Sequence, residues 1–211
     1  MLKIAAAESE CRGYCDADAT RGMLEMENGA MRLISDAGVS VPEPLPAKNG
    51  AEIVRLEQLG GAVSETGACF VRLITFLGGT LLAEVPTHPS SLLRRFGACL
   101  GRMDIALADF KHENAVRDLT WDLANASRAR EHFVDITDAA DLELAERALG
   151  RFDDLVVPQL MTLPRQVVHG DANDYNVLVE SSALTDLAAG DVIAAEVSFS
   201  MEESCFPIEE S

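Results

Sequence analysis

Positive charge is scarce in this chain: 17 Lys and Arg stand against 35 Asp and Glu, a formal net charge of −18 over 211 residues. Nucleic-acid phosphates are held by clustered Lys and Arg, so this balance argues against a nucleic-acid partner. No run of 18 apolar residues occurs, and no membrane span or membrane partner is expected. Met1-Leu2-Lys3-Ile4 is too short an apolar run for a secretory signal. Internal repeats and low-complexity segments are missing too. Aromatic residues make up only 5%, with one tryptophan, Trp121, which reads as an anchor packing a helix. The five cysteines (Cys11, Cys15, Cys69, Cys99, Cys205) are odd in number and scattered, with no Cys-x-x-Cys. No His or second Cys pair completes a metal-ligand set around Cys11 and Cys15. A reduced cytoplasmic protein is the natural inference, with Cys69 and Cys99 in its core.

What is plentiful is apolar side chain, 48% of the total, which excludes disorder throughout. The length allows one domain or two small lobes sharing a cleft. The acidity suits a cationic small-molecule substrate drawn in by a negative field, and it serves solubility equally well. Oligomeric state is not legible.

Periodicity predicts a helix over 18–37, with Met23, Leu24, Met26, Ala30, Met31, Leu33 and Ile34 on or near one face and Gly38 as a left-handed cap. Residues 39–46 read as a proline-punctuated extended connection. Strands are predicted at 52–56 and 69–77, joined as a hairpin, with Gly78-Gly79 marking a lobe boundary. The next helix, capped by Ser90 or Ser91, carries a stripe from Leu92 to Phe110. Further helices are predicted at 119–128 and 140–155, then short strands at 166–168 and 176–179. The tail after 202 has no clear period.

Chemistry concentrates in Val167-Val168-His169-Gly170-Asp171-Ala172-Asn173-Asp174-Tyr175-Asn176-Val177-Leu178-Val179. Strands on both sides would hold its polar turn rigidly. Asp171 and Asn176 supply a carboxylate to orient and deprotonate a hydroxyl and an amide oxygen for Mg²⁺, the pair that phosphoryl transfer needs. His169 is expected to brace the turn rather than exchange protons. The plain alternative is an Asx-rich surface turn. His88, His112 and His132 read as surface residues, and Asp118 and Asp122 as a solvated helix start or as groups facing a cation.

The run from His169 to Val179 resembles the catalytic loop of the aminoglycoside phosphotransferase family, small-molecule kinases with a protein-kinase-like fold, and is most similar to its hydroxylysine kinase branch. Val71-Arg72-Leu73-Ile74-Thr75-Phe76-Leu77-Gly78-Gly79-Thr80 resembles that branch's hinge strand. Leu100-Gly101-Arg102-Met103-Asp104 and Arg117-Asp118-Leu119-Thr120-Trp121-Asp122-Leu123 resemble its helical-lobe segments. The resemblance implies an α+β, bilobal fold: an incomplete nucleotide-binding lobe at 1–77 and a mostly helical lobe at 78–211 holding the catalytic loop 167–179. It implies ATP and Mg²⁺ as cofactors, Asp171 as catalytic base and Asn176 as metal ligand. Lys3 becomes the nucleotide-phosphate lysine, with Glu27, or else Glu25, as its partner. The main chain from Thr75 to Leu77 would meet adenine.

The departures are specific. The family's glycine-rich hairpin should precede the lysine strand, yet Lys3 is the third residue. Where the family has Ile-Asp-Phe-Gly-Asp, this chain has Leu187-Ala188-Ala189-Gly190-Asp191, with alanine at the main magnesium aspartate. Asp186 would sit on the wrong phase to replace it. The later pocket-forming helices are reduced, Ala195-Glu196-Val197 echoing one of them. The expectation is therefore a phosphotransferase acting on a small cationic metabolite, 5-hydroxy-L-lysine first, from a chain truncated at both ends. The rivals are a catalytically inactive fragment or pseudokinase, and a homoserine, choline or aminoglycoside kinase.

Overall fold

The computed structural model describes residues 2–6, 17–56, 69–116, 122–160, 162–180 and 197–199. The chain divides into two compact units, Met1–Ala115 with Gln166–Ser211, and Val116–Arg165.

The first unit is organised by β4 (Cys69–Ile74), whose β-branched and aromatic residues favour a pleated, half-buried strand. Along one side it pairs antiparallel with β1 (Leu2–Ala6), from Leu2↔Leu73 to Ala6↔Cys69. Its other side takes two strands in succession, both antiparallel. These are β2 (Pro44–Leu45), opposite Ile74 and Leu73, and β3 (Ile53–Leu56), from Ile53↔Arg72 to Leu56↔Cys69. The expected hairpin of residues 52–56 with 69–77 is therefore present as β3 and β4, its connection lying outside the described residues. The strand stops at Ile74, short of the expected Leu77. Alternation along β4 buries Phe70, Arg72 and Ile74 and leaves Leu73 on the other face, 42% exposed.

Helix α1 (Ala17–Asp36) lies within a residue of its expected limits. Met23, Leu24, Met26, Ala30, Met31 and Ile34 are buried, whereas Leu33 is exposed. The helix ends as its glycine predicts: Gly38 has φ +75°, its N–H reaches Ser35 O at 2.8 Å, and Val39 N–H reaches Ile34 O at 3.2 Å. That is the paired bonding of a Schellman cap, with Ile34 and Val39 in one apolar cluster.

Helix α2 (Ser90–Leu107) packs Leu92, Cys99, Met103 and Leu107 into the same core as Met31, Ile34, Ile74, Val177 and Val179. Its cap differs from expectation. Pro89, at φ −64° and ψ 153°, holds the N-cap position with no side-chain capping bond, and Ser90 is already helical. Proline's preset φ suits this position, and its missing N–H costs nothing before the first turn. The stripe also outruns the helix: Phe110 packs on the core from beyond Leu107.

A second sheet joins β5 (Thr80–Leu81), β6 (Val177–Val179) and β7 (Val197–Phe199), with Thr80↔Val179 and Val177↔Phe199. Only β6 is legible in the sequence, because strands of two or three residues carry too little periodicity. Val197, expected to echo a helix, lies in β7. Residues 166–168, expected to be a strand, are irregular: Gln166 donates its side-chain amide to Asp104 O at 2.8 Å and Val168 is exposed, with no strand alongside among the described residues. Cys99 is buried and Cys69 half-buried, both as free thiols, while Cys11, Cys15 and Cys205 lie outside the described residues.

The second unit contains a 3-10 helix at Leu123–Asp135, then α3 (Ala139–Leu155) and α4 (Val157–Leu160). The first replaces the helix expected at 119–128. Asp122 caps it by accepting Ala124 N–H at 2.9 Å, which favours the helix-start reading of that residue. Asp138 caps α3, accepting from Ala140 and Asp141 N–H at 2.8 and 3.0 Å. Asp153 of α3 accepts from Ser127 Oγ at 2.5 Å and from Arg130 at 2.6 Å. Trp121 and Asp118 lie outside the described residues. Among the described residues no helix is long and apolar enough to cross a membrane.

Candidate functional site

The loop ahead of β6 is braced from within. Gly170 adopts φ +79°, a left-handed conformation that L side chains rarely take, and it turns the chain between His169 and Asp171. Asp171 N–H donates to His169 Nδ1 at 3.3 Å. That bond needs a lone pair on Nδ1, so the imidazole carries its proton on Nε2. Burial pushes the His169 pKa below its usual 6.5, and the nearby Asp171 charge offsets part of that shift. His169 is thus a neutral brace, as its place in the sequence suggests.

Asp171 and Asn176 are brought into direct contact. The Asn176 side-chain amide donates to Asp171 O at 2.8 Å and to Asp171 Oδ2 at 2.9 Å. Asp171 Oδ1 accepts from Asn173 Nδ2 at 2.8 Å. Asn173 Oδ1 in turn accepts from the N–H of Tyr175 and of Asn176, at 2.9 and 3.2 Å. Asn173 is therefore the hub of the turn. Sequence reasoning passed over it, although an Asn two residues after an Asp in a polar turn is a signal for such a bond. The loop is also tied down from outside: Ala83 N–H donates to Asp174 O at 3.0 Å, and Val167 and Ala172 pack on the core. Asn176 is itself buried, 4% exposed, beside fully buried Val177. The Asp171 carboxylate is thus oriented by the side-chain amides of Asn173 and Asn176, with the amide oxygen of Asn176 as a further hard donor on the same loop.

Among the described residues no group of three or more His, Cys, Asp or Glu could hold a metal ion. The oxygens available at the loop, from Asp171 and Asn176, are hard donors of the kind Mg²⁺ takes. That ion keeps several waters and binds through one or two protein oxygens together with phosphates. The donor set thus fits an ion arriving with a nucleotide rather than one caged by protein alone. Asp186, Ala188 and Asp191 lie outside the described residues.

Lys3 lies in β1 as the register partner of Arg72. Glu27 is buried on α1, 5% exposed, and its carboxylate is paired with the Arg72 guanidinium. Glu25 instead forms a surface pair with Arg21 at 2.8 Å. Arg72 is a residue that sequence reasoning missed. Its signal was an arginine on the inward phase of an otherwise apolar strand.

Thr75 N–H donates to Glu43 O at 2.9 Å, and Thr75 Oγ1 accepts from Glu43 N–H at 2.9 Å, so this residue extends the pairing of β4 with β2. Thr75 and Leu77 line an open pocket of about 390 Å³ with Ser35, Gly38, Val39, Ser40, Val41 and Glu43. Asp171, Asn176 and Glu27 do not line it. Of the remaining histidines, His88 and His132 are exposed, while His112 is half-buried with Nδ1 accepting Asn114 N–H at 3.2 Å.

A sequence model of the phosphotransferase enzyme family matches residues 16–186. Hydroxylysine kinase of Xenopus laevis is 30% identical over 167 residues, covering 76% of this chain and 44% of that protein. Hydroxylysine kinase of Bos taurus is 26% identical over 197 residues, 92% of this chain and 49% of the relative. A homoserine kinase of Rhizobium etli is 31% identical over 186 residues, 84% of this chain and 52% of that one. The chain thus spans about half the length of the curated relatives it matches. Among solved structures, a microcompartment-associated aminopropanol kinase superposes with a TM-score of 0.58 at 17% identity, over 94% of this chain and 56% of that one. At that identity the likeness shows a shared fold.

Proposed function

The chain belongs to the phosphotransferase enzyme family, and from that footing we propose that it transfers the γ-phosphate of ATP to a hydroxyl of a small cationic metabolite, 5-hydroxy-L-lysine first among them. The contact between Asp171 and Asn176 carries this reading. The acceptor hydroxyl donates to the Asp171 carboxylate, its oxygen attacks the γ-phosphorus, the bond to the β-phosphate oxygen of ADP breaks, and the hydroxyl proton passes to Asp171. Bonds from Asn173 and Asn176 fix that carboxylate before substrate arrives, so its orientation needs no reorganisation during transfer. The Asn176 amide oxygen would help hold Mg²⁺ arriving with the nucleotide, and the ion would supply charge neutralisation.

Lys3 steadies the α and β phosphates with Glu27 as partner, and the main chain from Thr75 to Leu77 meets adenine. Residues 1–77 act as a partial nucleotide-binding lobe and 78–211 as the lobe carrying the catalytic loop. A cytoplasmic location belongs to the same reading. Hydroxylysine and homoserine kinases among the relatives point to an acceptor that is an amino acid bearing a hydroxyl, and the net charge of −18 suits a cation.

A second reading, a catalytically inactive member of the family, is favoured by Ala188 at the position of the main magnesium carboxylate. ADP release with Mg-ATP and 5-hydroxylysine or homoserine separates the two, with Asp171→Asn as control. Turnover that the substitution abolishes supports the kinase. A folded protein that binds Mg-ATP without turnover supports the inactive member, and preference for homoserine displaces hydroxylysine as acceptor.

A further inference from the structure

The loop ahead of β6 ends in a hydrogen-bonded β-turn. Asn176 N–H donates to Asn173 O at 3.1 Å, which leaves Asp174 and Tyr175 as the two central residues. The ends of the turn hold the Asp171 carboxylate, through Nδ2 of Asn173 and Nδ2 of Asn176. Its tip is held as well. Tyr175 N–H donates to Asn173 Oδ1 at 2.9 Å, and Asp174 O accepts Ala83 N–H at 3.0 Å. Asn173 therefore bridges Asp171 Oδ1 and Tyr175 N, setting them no more than about 8 Å apart.

Both tip side chains stand in solvent, Tyr175 at 67% exposure. Turns favour Gly, Pro, Asn, Asp and Ser, so the ring does nothing to form this one, in a chain with only two tyrosines. A ring and a carboxylate on a braced turn suit a cation: the ring face attracts it and the carboxylate offsets its charge. Among the described residues the Asp174 carboxylate forms no ion pair. Residues 166–180 contain Asp171, Asp174 and Glu180 but no Lys or Arg. We propose that Tyr175 and Asp174 select the acceptor by taking its ammonium group while Asp171 takes its hydroxyl. The inference rests on the proposed transfer to a cationic metabolite. In 5-hydroxylysine the hydroxyl and the side-chain ammonium sit on neighbouring carbons. A hydroxyl held by Asp171 therefore brings the ammonium within a few ångström of that carboxylate, a separation the tyrosine side chain can span.

Proton NMR of 5-hydroxylysine titrated with the full chain tests this, with or without turnover. A ring face over the ammonium moves the neighbouring methylene protons upfield on binding. Tyr175→Leu is expected to abolish that shift and weaken binding about tenfold, whereas Tyr175→Phe keeps the ring and the shift. Asp174→Asn is expected to weaken binding about fivefold. The analogue 2-amino-5-hydroxyhexanoate lacks the side-chain ammonium and should bind no better to the wild type than to either variant. Binding of 5-hydroxylysine without the upfield shift, or with unchanged affinity in Tyr175→Leu or Asp174→Asn, overturns the inference. Equal losses with the analogue overturn it too, because the substitutions would then act on the turn and not on the ammonium. ADP release in the same samples decides whether the proposed transfer survives either outcome. A folded protein that neither binds nor phosphorylates 5-hydroxylysine rejects that acceptor and the inference with it.

Discussion

Asn176 donates its side-chain amide to both the main-chain carbonyl and the carboxylate of Asp171, at 2.8 and 2.9 Å. One buried side chain thereby closes the loop and orients the group proposed to accept the substrate proton. The amide has two N–H donors, and both are engaged.

Asn176→Ala is expected to lower unfolding free energy by about 1–3 kcal/mol, the cost of leaving buried polar groups without a partner. It is also expected to abolish ADP release. Urea titration and the kinase assay read the two effects. A variant with unchanged stability and unchanged turnover refutes the role given to this contact.

His169 links stability to pH. Burial holds its folded pKa below 6.5, so as pH falls below that value the unfolded chain takes up a proton that the folded one does not. The wild type should therefore lose stability relative to His169→Asn as pH drops from 6.5 toward the folded pKa, the variant keeping an acceptor for Asp171 N–H. Denaturant titrations of both proteins at several pH values measure the difference. A pH-independent difference contradicts the assignment.

Arg72 and Glu27 form a buried pair, 4% and 5% exposed. Breaking such a pair from one side strands a charge, and Arg72→Met is expected to cost about 3–5 kcal/mol. Adding Glu27→Leu should recover most of that loss, because two apolar residues replace the pair without an orphan. Equal losses in the single and double variants would contradict a direct pair.

In the second unit, the Ser127 hydrogen bond, then Arg130, hold the Asp153 carboxyl below its usual 3.8. Its contribution is present above 3.8 and is lost as pH falls through the depressed value. Ser127→Ala should return the titration midpoint toward 3.8, as followed by NMR of the side-chain carboxyl. An unmoved midpoint would mean that Arg130 alone sets the shift.

The sequence by itself determined what near neighbours decide. The span of α1 and its Gly38 cap, the β3–β4 hairpin, α3 and the polar loop holding Asp171 and Asn176 all follow from periodicity, caps and turn residues a few positions apart. Only the tertiary structure decided the rest. Residues 166–168 read as a strand by composition, yet a strand exists only where another strand lies beside it. Thr80–Leu81 is one because Val177–Val179 lies beside it, nearly a hundred positions along the chain. Arg72 likewise looks like an ordinary strand residue until α1 brings Glu27 against it across 45 positions. Pairing of that kind depends on which surfaces bury each other, and local pattern does not carry that information.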